Sequence, residues 1–233
     1  MQFIEKNSFN VRAAVYHLGK GNEPLHFILF PMIHIESKQY YEEVSRRLSE
    51  CDLVLMEGVD SRKADYLTLS YRVVKRIRRM ELVTQQEALK IRLPRKDVIN
   101  ADMSRRDFDK GWSAVSAALR FQLIIFLPVY VVWLFLFGTR EVIAEHMAME
   151  DMPSRDETLF SDEDTESLDR LLIDERDRQL IGVIEDLHRT KNPDRKTVGI
   201  VYGARHMRNI TSFLLDRLSY RITASDWVVV FDL

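Results

Sequence analysis

The sequence predicts an α/β fold, with a mixed, largely parallel central sheet flanked by helices and a helical insert that contains an apolar segment. Three observations carry this expectation. "CDLVLMEGV" is a short apolar run bounded by charge and glycine, which is how a buried parallel strand reads. Strand-like runs alternate with stretches of helical apolar spacing, in the order that crossover connections produce. No segment repeats at a fixed period, so a solenoid is excluded. The 233 residues suit one such domain over 1–233, with the helical insert at 104–190 inside it.

In chain order, "NVRAAVYHLG" and "EPLHFILFPMIHI" read as two strands joined by turn residues at Gly19 to Asn22. Ser37 to Ser49 reads as a helix with Tyr41, Val44 and Leu48 on one face. Ser61 to Lys90 is rich in helix formers and holds neither Gly nor Pro, so it reads as helical. "KDVINAD" is a weaker strand. "LDRLLIDERDRQLIGVIEDLHRT" has leucines and isoleucines at helical spacing, with Asn192-Pro193 as a stop signal. "KTVGIVYGARH" returns to strand, a helix follows from about Met207 to Leu218, and "RITASDWVVVFDL" reads as an edge strand or strand pair.

Composition narrows the function. A 46% hydrophobic and 30% charged chain is ordinary globular material, and a net charge of −2 supplies no field for nucleic acid. The single cysteine, Cys51, allows neither an intrachain disulfide nor a cysteine-based zinc site and reads as a small hydrophobe. "MQFIEKNSFN" lacks a basic start followed by an apolar core, so a cytoplasmic location is expected, with membrane association as an addition to it. Arg62 to Lys110 is basic, with a dense run at Arg72, Lys75, Arg76, Arg78 and Arg79, and Glu141 to Asp177 is acidic. Both read as solvated helix faces.

Phe121 to Thr139 carries no charge and is flanked by Arg120 and Arg140. That approaches the roughly 20 apolar residues of a membrane span. A simple span, however, puts residues 34 and 57 on the opposite side of a bilayer from residues 176 and 206. Three readings remain open. The segment is a buried helix of the insert or of a homodimer interface. It is a membrane-dipping hairpin broken at Pro128, which the basic run would suit on anionic lipid. Or the two halves of the chain do not share a site.

The chemistry-bearing residues stand at strand ends, where open α/β sheets place their sites. His34 follows "FILFPMI", Glu57 ends "LVLMEG", and His206 lies just after Gly203, which lets the backbone turn tightly. Parallel strands bring these ends to one edge. Two histidines and a carboxylate suit a divalent ion, and equally suit metal-free acid–base work. No G-x-S-x-G elbow, P-loop or G-x-G-x-x-G occurs, which disfavours serine hydrolysis and nucleotide chemistry. His17, His26, His146 and His188 are not expected in the site, and a position near a helix C-terminus suffices for His188.

These motifs resemble those of the TraB/PrgY, GumN and TIKI group, and more distantly the ChaN and erythromycin-esterase-like proteins. The matching residues are His34, Glu57 with Arg62 after it, Asp102 in "NADMS", Glu175-Arg176-Asp177 and Gly203 to His206, in the group's order along nearly the whole chain. The first motif departs, with Pro31-Met32-Ile33-His34 in place of a glycine-led one. The resemblance implies a metal-dependent, peptidase-like hydrolase of a peptide or small-molecule substrate. His34 and His206 would be ligands of Mn, Co, Zn or Fe, and Glu57 a ligand or general base. Arg176 would stabilise an oxyanion, Asp177 would orient a partner, and Gly203, Arg62 and Asp102 would face substrate. The alternatives are a non-catalytic module of the same fold that binds a peptide pheromone or haem, and a metal-free esterase.

Overall fold

The computed structural model describes residues 1–33, 35–59, 61–69, 73, 76–77, 80–90, 98–151, 163–190 and 196–233. His34, most of the basic run (all but Arg76) and the Asn192-Pro193 stop therefore lie outside the described residues.

Among the described residues, seven strands form one mixed sheet. They are β1 (Ile4–Lys6), β2 (Asn10–Gly19), β3 (Leu25–Met32), β5 (Leu53–Met56), β7 (Val98–Asn100), β8 (Lys196–Gly203) and β9 (Arg221–Asp232). β4 (Ile35–Ser37) and β6 (Leu82–Thr84) pair separately. β3, β8, β5 and β7 are neighbours in that order and all parallel. β9 runs antiparallel to β2 from Asn10 to Gly19 and occupies one of its edges, so β1 and β3 share the other. The β2–β3 hairpin turns through Gly21 at φ +43°, a left-handed conformation that glycine adopts without strain.

Both faces of β3, β8 and β5 are covered, which is why their sequences read as unbroken apolar runs, while β7 at the edge is half exposed. Along β3, Phe27 and Leu29 point to one layer and Phe30 and Met32 to the other. Helix α1 (Lys38–Leu48) covers the second layer with Tyr40, Tyr41, Val44 and Leu48. Ser37 caps it by accepting from the Tyr40 N–H at 3.1 Å. The helix lies so close to the sheet that a Cβ on Gly199 would come within 2.7 Å of Leu48 Cδ2. Cys51 packs at the same place, and burial pushes its thiol up to about 11, as expected of a small hydrophobe rather than a nucleophile. The other layer is covered by Leu180 and Ile184 and by Met207, Ile210 and Leu214.

The helical reading of Ser61 to Lys90 holds only in part. Among the described residues there are α2 (Arg62–Leu67), β6 and α3 (Gln85–Lys90). Glu81 at φ +52° cannot continue a helix, and Leu82 to Thr84 find strand partners in β4. Tertiary pairing outweighs helix propensity here.

The elements described between β7 and β8 are helical: α4 (Arg105–Ala114), α5 (Ala117–Phe137), α6 (Arg140–Asp151), α7 (Glu163–Asp169), a π-helical turn (Arg170–Asp174) and α8 (Glu175–Arg189). After β8 comes α9 (Ala204–Ser212), which begins earlier than the expected Met207, and a second π-helical stretch.

Two points in the readings of the apolar segment are corrected, the break at Pro128 and burial within the insert. α5 is one continuous helix through Pro128, not a hairpin, and only 6% of its most apolar stretch is buried within the chain. Proline at this position leaves the Ile124 carbonyl without its helical donor. The Tyr66 hydroxyl donates to that carbonyl at 2.8 Å and replaces the lost bond. Tyr66→Phe is expected to cost about 0.5–1 kcal/mol in urea unfolding. In a Pro128→Ala background the same change should cost almost nothing, because the restored N–H satisfies Ile124. Equal costs in both backgrounds would refute the compensation.

Candidate functional site

The register of the parallel strands makes their carboxyl ends flush. Pro31 pairs with Tyr202, Met32 with Gly203, Val201 with Met56, and Met56 with Asn100. Glu57 leaves β5 with its N–H still bonded to Val201 O at 3.1 Å. Asp102 stands two residues beyond β7, and His206 is the third residue of α9. α8 contributes Arg176 and Asp177. Successive helical residues point about 100° apart, so the two side chains serve different partners.

Arg176 lies between two carboxylates. Its Nε and Nη2 donate to Asp102 at 2.9 and 2.6 Å, and Nη2 also donates to Glu57. All three side chains are buried, to 13% exposure or less. Burial alone would lower the guanidinium pKa, but Glu57 and Asp102 reverse this and raise it above its ordinary value. The second Glu57 oxygen accepts the Gly203 N–H. Asp102 also accepts from the N–H groups of Gly58 and Met103, at 2.9 and 2.8 Å. Asn100 ties the same loop together, accepting from Asp102 N–H at 3.0 Å and donating to Gly58 O at 2.7 Å.

Asp177 turns to the other side. Its Oδ1 lies 2.7 Å from His206 Nδ1, and its Oδ2 accepts from the Asn209 amide. The other imidazole nitrogen, Nε2, lies 3.9 Å from Glu57 Oε1. The Tyr202 ring meets the imidazole edge-on at 5.0 Å and 90°. Burial, then the charges of Asp102 and Glu57, hold the Tyr202 hydroxyl far above its usual range, so it stays protonated. The result is one linked cluster, Asp102–Arg176–Glu57 and then His206–Asp177–Asn209, drawn from both ends of the chain.

Of the expected site residues, Glu57, Asp102, Arg176, Asp177, Gly203 and His206 meet here. Arg62 does not: it is exposed at the start of α2, and none of the described hydrogen bonds or ion pairs joins it to the cluster. Tyr202, Asn100 and Asn209 belong to the cluster without having been singled out from sequence. Asn209 had a readable signal, since it follows His206 by three residues on one helix. His188 instead pairs with the Tyr220 hydroxyl at 2.9 Å, and His17 and His26 line a shallow cavity towards the amino end of β3.

The donor set can be tested against a divalent ion. Among the described residues no group of three His, Cys, Asp or Glu side chains is arranged to hold one. Glu57 and His206 are two donors, and the glutamate oxygen nearest the imidazole already accepts from Arg176. Two donors shared with a guanidinium do not make a metal site by themselves.

No protein-family model, curated protein or solved structure matches this chain.

Proposed function

We propose that this sheet edge is an acid–base hydrolytic site for an ester or amide bond, with His206 as the proton carrier. One observation carries the reading: Asp177 is bonded to His206 Nδ1 while Nε2 faces Glu57 at 3.9 Å. A carboxylate on Nδ1 holds the proton there and presents the Nε2 lone pair as a base. That separation is short enough for one oxygen, from water or substrate, to lie within hydrogen-bond distance of both Nε2 and Glu57 Oε1. His206 takes its proton, and the resulting imidazolium is stabilised by Asp177. Arg176 Nη1 takes part in none of the described hydrogen bonds, so its N–H groups serve the developing oxyanion, while Nε and Nη2 hold the carboxylates. Peptides are the first substrates to try, since the resemblance in sequence suggests them.

A metal-assisted form is the second reading. A carboxylate behind a histidine is also how metal-ligating histidines are oriented, and His34 would have to supply a third donor. One experiment separates the two. Wild type, His206→Ala and Asp177→Asn are assayed on activated esters and a peptide library, with chelator and with added Mn, Co, Zn or Fe. His206→Ala is expected to lose about 100- to 10,000-fold of kcat, and Asp177→Asn to lose on the order of 100-fold or more. Activity that survives chelator supports the metal-free reading; activity lost to chelator and restored by metal supports the other. Turnover unchanged in His206→Ala, or no turnover in wild type, sinks both and leaves a binding module.

A further inference from the structure

We propose that α5 is an in-plane membrane anchor, lying in one leaflet and setting the carboxyl edge of the sheet at the lipid surface.

The placement of the helix follows from its two ends. At its start, Leu119 and Leu123 pack against the cluster of Met103, Phe108 and Trp112, which Val59 and Leu67 from the loop and helix beyond β5 also join. At its finish, Arg140 Nε donates to Met80 O at 2.9 Å and Nη1 to Asp232 O at 3.0 Å. Asp232 pairs with Asn10, where β2 begins, and β2 is antiparallel to β3. That end therefore belongs to the same sheet edge as Met32. From β7 to β9 the sheet is about 24 Å wide at ~4.8 Å per strand. A 21-residue helix is about 31 Å long, enough to run along this whole edge. With both ends held by one fold, the helix cannot cross a bilayer.

None of the described residues covers its outer face. Phe121, Phe126, Val129, Phe135, Leu136 and Phe137 are all more than half exposed. With Ile124, Ile125, Val132 and Trp133, the patch is on the order of 1,000 Å², well beyond what a soluble monomer ordinarily leaves open. An interface between two protein chains would need hydrogen bonds and a polar rim. From Phe121 to Phe137 the exposed positions offer only the Gln122 amide and the Trp133 indole N–H, which is the chemistry of acyl chains met by an interfacial tryptophan.

Charge agrees with this assignment. Arg105, Arg106 and Lys110 are exposed on α4, which packs beneath the start of α5, and Arg120 and Arg140 flank the apolar stretch. The acids among them are partly engaged: Asp107 accepts from Ser104 at 2.6 Å, Asp109 accepts from Ser61 at 2.8 Å, and Glu81 pairs with Arg140. Exposed cations beside an exposed apolar face suit anionic head groups.

The test is flotation of the full chain with vesicles of phosphatidylcholine, alone and with phosphatidylglycerol. Wild type should float with both and more strongly with the anionic lipid. The double variant I125E/V129E, which changes only exposed positions, should bind on the order of 100-fold more weakly while keeping the wild-type melting curve. Trp133, left as the only tryptophan by Trp112→Phe and Trp227→Phe, should be quenched by bromines near the head group and little by bromines at the bilayer centre. Three results would overturn the proposal. The first is wild type that stays unbound as a soluble monomer. The second is a lipid-free dimer that dissociates in I125E/V129E, making a second copy the occupant. The third is Trp133 quenched chiefly at the bilayer centre.

Discussion

Arg176→Met is expected to lower the stability of the protein by about 3–5 kcal/mol, the usual cost of stranding buried charge. The guanidinium is the cation shared by Glu57 and Asp102, whose side chains are 6% and 0% exposed. Without it, two carboxylates face each other across a space that water barely enters. Urea unfolding at neutral pH checks this through a large drop in midpoint at unchanged slope. The loss should be partly recovered in Arg176→Met/Asp102→Asn, because the two residues share one hydrogen-bond system. Arg176→Lys should not restore the wild type, since an ammonium cannot reproduce the fork that holds Asp102 by Nε and Nη2 together. A loss below about 1 kcal/mol, the scale of an exposed ion pair, would mean that the cluster is not closed in solution.

Glu36→Gln is expected to stabilise the protein at alkaline pH and to leave it nearly unchanged in acid. Glu36 is fully buried on β4, and burial pushes its carboxyl up to about 8 despite the Ile33 N–H at 2.8 Å. Its neighbours Tyr40 and Tyr41 are likewise pushed up, by burial first and then by its charge. The unfolded chain releases this proton near 4.5 and the folded chain holds it to about 8. The stability it contributes is therefore full below 4.5, declines between 4.5 and 8, and is gone above. At ~1.4 kcal/mol per pH unit the decline is on the order of 5 kcal/mol. The difference between wild type and Glu36→Gln in urea unfolding, followed from pH 5 to pH 9, isolates this one group from the others that titrate. Parallel curves would show that the carboxyl is not held protonated.

The sequence made the frame of the site legible because parallel strands obey a simple rule: apolar run, then turn, then chemistry at one edge. Glu57, Gly203 and His206 could be placed on that rule alone, whereas Asp102 was named only through the resemblance. Arg176 and Asp177 could be named but not assigned to partners, since which of two adjacent helical residues faces which strand depends on helical phase. Phase is altered here by the π-helical turn just before them, which no spacing pattern announces. Asn100 was hidden for a different reason. It acts by closing a loop on itself, and its residue type is common in such turns whether or not a site is near. The continuity of α5 through Pro128 depends on a hydroxyl 58 residues away in sequence, which local reading cannot supply. Arg62 was carried by its position in a motif, and the start of α2 points it to solvent.

The π-helical turn has a consequence for how the cluster comes together. It holds an additional residue ahead of Arg176, and relaxing it to an α-helical turn would rotate everything after it by about 100°. Arg176 would then leave Glu57 and Asp102 at the same moment that Asp177 leaves His206 and Asn209. The ion cluster and the histidine pair are thus geared to a single helical setting: a protein that has one has both, and half-assembled forms are not among its low-energy states.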